Sequence, residues 1–248
     1  MIGDVMLRTQ RLTRKFSGFV AVNEVDFEVR RGELRAIIGP NGAGKTTFFR
    51  LLSADLPVTS GRIWFEGREV TGAPAHHLAR LGVGRSYQIT NAFPNLTIFE
   101  NVRIASQPPS LDFKFWATYR QPSELTDKTN RILDIVHLSG KRALLASELS
   151  YGELRRLELG MALGTDPRLL LLDEPTAGMS PTETQTTIEL IQRIAKDRTI
   201  ILVEHKMNVV MTVCDRISTF HQGKILAEGT PEEIRANRDV QAVYFGSR

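Results

Sequence analysis

The stretch "GPNGAGKT", Gly39 to Thr46, spaces its glycines, lysine and threonine as G-x-x-x-x-G-K-[ST]. Those residue types in that order make a phosphate cradle. Glycine lets the backbone curl until successive N–H groups point at one set of oxygens. A helix opening at the end of the loop adds its positive dipole end. On this reading Gly39, Pro40, Asn41, Gly42, Ala43 and Gly44 wrap the phosphates of the ligand, with Thr47 at the helix start. Lys45 reaches the β- and γ-phosphates, and the Thr46 hydroxyl ligates Mg2+. The flanks argue against a chance match. The apolar run "LRAII" precedes the loop and "TTFFRLL" follows it, so the order is strand, loop, helix.

A second stretch, "LLLLDEP" (Leu169 to Pro175), delivers two carboxylates to the end of a buried strand, where ligands bind in open α/β sheets. Asp173 suits Mg2+ through water, and Glu174 is placed to polarise an attacking water. Activating water points to hydrolysis rather than transfer of a phosphoryl group to a metabolite. A third stretch, "LSYGELRRLELG" (Leu149 to Gly160), is a glycine turn opening a helix. Ser150 and Glu153 have the spacing of a capping box, and Leu154, Leu157 and Met161 share one face. The tip of that helix favours an anion, yet one phosphate loop already fills the local need. By itself the stretch also reads as a capped surface helix. His205, after "TIILVE", is by chemistry alone as consistent with a packed or solvated histidine.

The elements that must position these residues are of two kinds. Near the N-terminus apolar and polar residues alternate: "EVDFEVRRGE" sets Val25, Phe27 and Val29 against Asp26, Glu28 and Arg30, a half-buried strand. "GRIWFEG" is another, so an antiparallel sheet is expected there. Farther on, "LRAIIG", "RLLLLDE" and "TIILVEH" are short apolar strands of the parallel type. Helix starts are marked by Thr97 with Glu100, by Ser150 with Glu153, and by Thr230, Pro231 and Glu233. "ISTFHQGKILAEG" reads as a hairpin turning at Gln222-Gly223. Residues 107 to 147 look helical and amphipathic, with an irregular, proline-containing entry.

Composition sets bounds. The 248 residues are 42% hydrophobic and 24% charged, an ordinary globular mix. The longest apolar runs are far too short to cross a bilayer, and no secretory leader is expected from "MIGDVMLRTQRL". One cysteine, Cys214, excludes an internal disulfide and reads as inert core. The net charge of +4 is spread without long basic runs, which points to a solvated mixed surface rather than to nucleic acid.

Taken together, the stretches resemble the ATP-binding cassette (ABC) ATPases. "LSYGE" is similar to their signature loop, in which two chains pack head to tail and each loop closes over the other chain's ATP. The resemblance implies an α/β fold: a P-loop ATPase core with a mostly parallel sheet, an N-terminal antiparallel β subdomain, and a helical lobe inserted at about 89–160 of a single domain, 1–248. It implies that Ser150, Gly152 and Glu153 serve the partner's nucleotide. Phe16 stacks on adenine, with Phe19 the lesser candidate. Gln88 in "RSYQIT" senses Mg2+, His205 contacts the γ-phosphate, and "AGMSP" crosses the dimer seam. Three positions depart from the family pattern: Ser180 and Lys206, where Asp is common, and Tyr151.

"SYQITNAFPNLTIFENV", "LSYGELRRLELGMAL", "DEPTAGMSP", "VEHKMNVVMTVCDRI" and "GKILAEGTPEEIRANRDVQAVYFG" together look like the ATP-binding subunit of branched-chain amino acid importers. That likeness implies a second ATPase chain, the same or related, integral membrane permease subunits, a periplasmic solute-binding protein acting indirectly, and a place on the cytoplasmic face of the inner membrane. Urea or amide uptake, lipid or lipopolysaccharide export, and a non-transport ATPase of the cluster-assembly type stay open. DNA-repair ATPases need a long coiled coil, translation ATPases two cassettes, and P-loop kinases lack the signature loop.

Overall fold

The computed structural model describes residues 5–86, 92–107 and 122–245. The first half of the chain runs β1 (Val5–Phe16), β2 (Phe19–Arg30), β3 (Leu34–Ile38), α1 (Lys45–Leu52), β4 (Ser60–Phe65), β5 (Arg68–Glu69), α2 (Ala75–Arg80), β6 (Val83–Arg85), α3 (Ile98–Ala105) and α4 (Pro122–Ile135). Then follow α5 (Tyr151–Gly164), β7 (Leu169–Asp173), α6 (Pro181–Ala195), β8 (Thr199–Val203), α7 (Met207–Val213), β9 (Arg216–His221), β10 (Lys224–Gly229), α8 (Pro231–Ala236) and α9 (Arg238–Phe245).

Two hydrophobicity patterns give two sheets. In β2 the alternation resolves as expected: Val25, Phe27 and Val29 are buried, and Asp26, Glu28 and Arg30 are exposed. This strand belongs to an antiparallel sheet of order β2-β1-β4-β5. The second sheet has order β10-β9-β3-β8-β7-β6 and is parallel except for the β9–β10 hairpin. All five residues of β3, β7 and β8 are buried. Successive side chains of a strand point to opposite faces, and here each face has its own core. Ala36, Leu170, Leu172, Ile200 and Leu202 join the helices on one side. Ile37, Leu169, Leu171, Ile201 and Val203 join α1 and the antiparallel sheet on the other. A strand covered on both faces needs an apolar residue at every position, hence the unbroken runs. Burying each such side chain contributes about 1.5–3 kcal/mol.

The helix caps agree with the sequence. Thr97, Ser150 and Thr230 each accept from the N3 backbone, while Glu100, Glu153 and Glu233 reach back. Ser180 and Glu183 form a fourth box, with Pro181 at the first position of α6. The β9–β10 hairpin turns at Gln222 and Gly223, both with positive φ.

Helices α3, α4 and α5 pack on one another through Val102, Leu133, Val136 and Leu157. Gly164 lets α5 approach the end of α3, because a Cβ there would lie 3.1 Å from backbone atoms of Ala105 and Ser106. The helical expectation for 107–147 needs trimming at its C-terminal side. Among the described residues α4 ends at Ile135, and short 3-10 turns follow at Ser139–Lys141 and Ala146–Glu148. His137 is left-handed and Ser139-Gly140 disfavours a further helical turn. The proline-containing entry at 108–121 lies outside the described residues.

Candidate functional site

Strands β3, β8 and β7 are neighbours and run parallel, so their C-terminal ends reach one edge of the sheet. From that edge emerge the glycine loop after β3, Glu204 and His205 after β8, and Asp173 and Glu174 at the end of β7. Distant sequence stretches thereby share one rim.

The loop is shaped for a guest. Gly39, Gly42 and Gly44 have φ of 149°, 79° and 101°. At Gly39 a Cβ would overlap the Phe220 carbonyl, and at Gly44 the Ala21 carbonyl. The β9–β10 hairpin braces the loop: Gly223 N–H donates to Ala43 O (2.9 Å), and Asn23 N–H donates to Gly223 O (2.8 Å). Lys45 opens α1, and its Nζ donates to Gly39 O and Pro40 O at 2.7 and 2.9 Å. Burial pushes the Lys45 ammonium below its ordinary range, while Glu174 and then Asp173 pull it back up. Thr46 is exposed and Thr47 half-buried beside it.

Asp173 is 3% exposed, and neither carboxylate oxygen accepts a hydrogen bond among the described residues. The Arg85 guanidinium lies 3.7 Å away. Burial pushes the Asp173 carboxyl up, opposed mainly by Arg85. A buried carboxylate with unused lone pairs at the rim beside Lys45 and Thr46 fits a hydrated Mg2+, which takes one or two carboxylates plus substrate phosphates rather than a full protein cage. In keeping with that, no group of three His, Cys, Asp or Glu among the described residues forms a metal cage.

Glu174 adopts φ 49°, a left-handed conformation costing a non-glycine residue about 1–2 kcal/mol. Its N–H donates to Val203 O (2.9 Å). The turn carries the side chain off the strand line to His205, whose Nε2 lies 2.9 Å from Glu174 Oε1. The half-exposed imidazole is thus held by the carboxylate.

The structure adds residues that carry no local signal. Glu204 is buried and accepts from Thr176 N–H (3.3 Å) and the Thr176 hydroxyl, and from His205 and Lys206 N–H at 2.7 and 3.0 Å. Lys206 Nζ donates to Thr176 O (2.9 Å) and Thr184 Oγ1 (3.2 Å). These contacts tie the loop after Glu174 to the loop bearing His205. At the far end Tyr244 lies near the Gly39 backbone, and burial pushes its phenol up to about 12.

Other predicted residues lie elsewhere. Ser150, Gly152 and Glu153 stand at the tip of α5, where Glu153 pairs with Lys141 (2.6 Å) and Arg156 (3.8 Å). Their hydrogen bonds and ion pairs among the described residues do not involve the glycine loop. Phe16 closes β1, 38% exposed, with the Arg14 guanidinium 4.5 Å from its ring centroid. Phe19 is its direct cross-strand partner and is 63% exposed. Gln88 lies outside the described residues.

Comparison with known proteins agrees with this arrangement. The family described as "ABC transporter" matches residues 22–177, and the family described as "Branched-chain amino acid ATP-binding cassette transporter" matches residues 224–248. The chain is 39% identical to the high-affinity branched-chain amino acid transport ATP-binding protein LivG of Salmonella typhimurium, over 97% of this chain and 98% of that protein. It is equally similar, with the same coverage, to the BraF protein of the same description from Pseudomonas aeruginosa. A solved nucleotide-free ATP-binding cassette from an ABC transporter superposes with a TM-score of 0.85 at 30% identity, covering 98% of this chain and 100% of that one. The ADP conformation of the cassette MJ1267 superposes at 0.86 with 29% identity, covering 98% and 99%. Phosphate loop, acidic strand end and histidine rim sit within these near full-length matches, and the chain belongs to the ABC transporter ATP-binding family.

Proposed function

We propose that the chain is the ATP-binding and hydrolysing subunit that powers an importer of branched-chain or other hydrophobic amino acids. One observation carries the hydrolytic part: three adjacent parallel strands bring Lys45, Asp173, Glu174 and His205 to one rim, with Glu174 held by His205 at 2.9 Å. The cargo rests on the LivG and BraF likeness and on the match of the C-terminal segment.

In this reading the glycine loop, Gly39 to Thr47, holds the triphosphate and Phe16 the adenine. Thr46, Asp173 and Gln88 hold Mg2+, which neutralises charge on the phosphate oxygens when bound. Glu174 orients a water and takes its proton as oxygen attacks the γ-phosphorus. His205 keeps that carboxylate aimed and donates toward the γ-phosphate. Lys45 neutralises the charge on the departing phosphate and ADP. Ser150, Gly152 and Glu153 close on the nucleotide of a second ATPase chain. The helical lobe at about 89–160 receives the permease subunits on the cytoplasmic face of the membrane, and a periplasmic binding protein supplies the solute. No helix among the described residues is long and apolar enough to cross a membrane, so separate membrane subunits fit.

The test is Glu174→Gln. Hydrolysis should fall at least about 100-fold, the scale of a lost general base, while ATP binding persists and a dimer accumulates in light scattering. Unchanged turnover would remove Glu174 from the mechanism. Cargo is tested by reconstituting the chain with its membrane subunits and asking which solute stimulates hydrolysis. Stimulation by urea or a lipid, and not by leucine, would replace the amino-acid reading.

A further inference from the structure

The tip of α5 is already in contact with an anion from its own chain. Gly152 is buried, and the Glu183 carboxylate packs directly against it. A Cβ at Gly152 would stand only 2.7 Å from Glu183 Cδ and 3.1 Å from Cγ. Glu183 belongs to the first turn of α6, where it also accepts Ser180 N–H (3.0 Å) and the Ser180 hydroxyl (2.8 Å). A second contact joins the same two segments. The Tyr151 ring lies 3.1 Å from the Cβ position of Gly178, whose φ of 72° only glycine adopts freely. The Tyr151 hydroxyl is fixed by Arg155 Nε and Nη2 at 3.1 and 3.0 Å. The loop between β7 and α6 is therefore clamped to the signature helix of the same chain.

We infer that Glu183 is a gate on dimer closure: its carboxylate covers Gly152 at the signature tip and must withdraw before that tip can grip the partner chain's γ-phosphate. This inference rests on the head-to-tail reading given under Proposed function. Two anions cannot share the same few ångströms at a helix terminus, because each is drawn to the same positive end and repels the other. The terminal oxygens of a glutamate can rotate away without moving α6, so the exchange asks for a side-chain motion and not for unfolding. The gate has a use. In the separate chain the tip stays covered by this carboxylate, and low-charge anions compete poorly with a covalently tethered one. A triphosphate with its extra charge displaces it. Since Glu183 sits on α6, directly after the loop from Glu174, release at the tip also frees the segment next to the hydrolytic carboxylate.

The experiment uses the Glu174→Gln chain, in which bound ATP is not turned over, with and without Glu183→Gln. Glutamine at the third helical position still completes a capping box, so α6 keeps its cap while the competing charge disappears. The ATP concentration giving half-maximal dimer in light scattering should fall about fivefold, the scale of a helix-terminus charge interaction. ADP binding to the single chain, which uses only its own glycine loop, should be the same in both. An unchanged or higher ATP requirement in the double variant overturns the gate. A shift in ADP binding of the same size overturns it too, since the effect would then be general. If the Glu174→Gln chain itself never dimerises with ATP, the head-to-tail reading fails first and takes the gate with it.

Discussion

The two anion-binding ends of this chain are built in opposite ways. At the glycine loop the acceptor is left in want: Lys45 is held only by carbonyls of its own loop, and Asp173, 3% exposed, has two oxygens without a hydrogen bond among the described residues. At the tip of α5 the space is filled from within: Glu153 caps it and pairs with Lys141, and the Glu183 carboxylate packs on Gly152. The first end has its ligand delivered from solution and can tolerate local electrostatic cost until it arrives. On the proposed head-to-tail reading the second waits for a ligand held by another chain, and a bare helix tip on a separate protein would attract other anions. Burial explains the first and tethered capping the second.

The largest effect that can break this contrast is at Asp173. Asp173→Asn should lower hydrolysis about 1000-fold through lost Mg2+ binding. It should also stabilise the ligand-free chain by about 1 kcal/mol, since a buried charge without hydrogen bonds is removed. Loss of the Arg85 pairing offsets part of that gain. The pH dependence has a definite sign. The folded carboxyl lies above its ordinary value of 3.8, so between the two values the native state holds a proton that the unfolded chain has released. Stability of the ligand-free chain therefore falls as pH rises from 3.8 through the raised folded value, and stays lower above it. The variant lacks that step. Melting curves across pH, without nucleotide, check both statements. A less stable variant would show that Asp173 is a structural ion and not a ligand in waiting.

A smaller effect is expected at Lys206, which joins the two loops of the rim. Lys206→Met keeps the stem and removes the donors to Thr176 O and Thr184 Oγ1. Stability should fall by about 1 kcal/mol for the lost hydrogen bonds. Hydrolysis should slow about tenfold, because Thr176 lies two residues beyond Glu174 and small misplacements of a catalytic group are costly. ADP affinity, measured by titration calorimetry, should not change. Equal losses in ADP binding and hydrolysis would mean that Lys206 supports the whole rim rather than the register of Glu174.

These cases show what was legible in the amino-acid order. The glycine loop, the acidic pair and the capping boxes were readable because their parts lie within eight residues of one another, where spacing dictates geometry. The β3, β7 and β8 strands were readable because burial on both faces demands unbroken apolar runs. The four-residue pattern Ser180-Pro181-Thr182-Glu183 carried an unused cap signal of the same kind. Glu204, Tyr244 and the Glu183–Gly152 contact had no such signal. Each joins segments separated by some thirty to two hundred residues through a common residue type. Lys206 was visible only as a departure from the family pattern, and the fold gives that departure a use. The three-residue strand β6 was missed because it is too short to show a period.

The smallest effect concerns the adenine side, where Phe16 and Phe19 are direct partners across a two-residue turn. Directly opposed residues in an antiparallel pair project from the same face of the sheet, so position alone does not separate them. Order does. Arg14 stacks on the Phe16 ring and its Nη1 donates to Pro57 O at 2.9 Å, which fixes a ring that stays 38% exposed, as the proposed adenine contact requires. No ring or cation contact of this kind is seen for the more exposed Phe19 among the described residues. Phe16→Ala should weaken ATP binding about tenfold, the low end of base–aromatic stacking, and Phe19→Ala less than about twofold. Both should melt within about 0.5 kcal/mol of the parent, since partly exposed side chains away from the core contribute little. Titration with ATP and with triphosphate separates the cases. Triphosphate lacks the base, so its affinity should ignore both substitutions. If Phe19→Ala weakens ATP and Phe16→Ala does not, Arg14 is then a lid on an idle ring, and the base must lie on the outer aromatic of the turn.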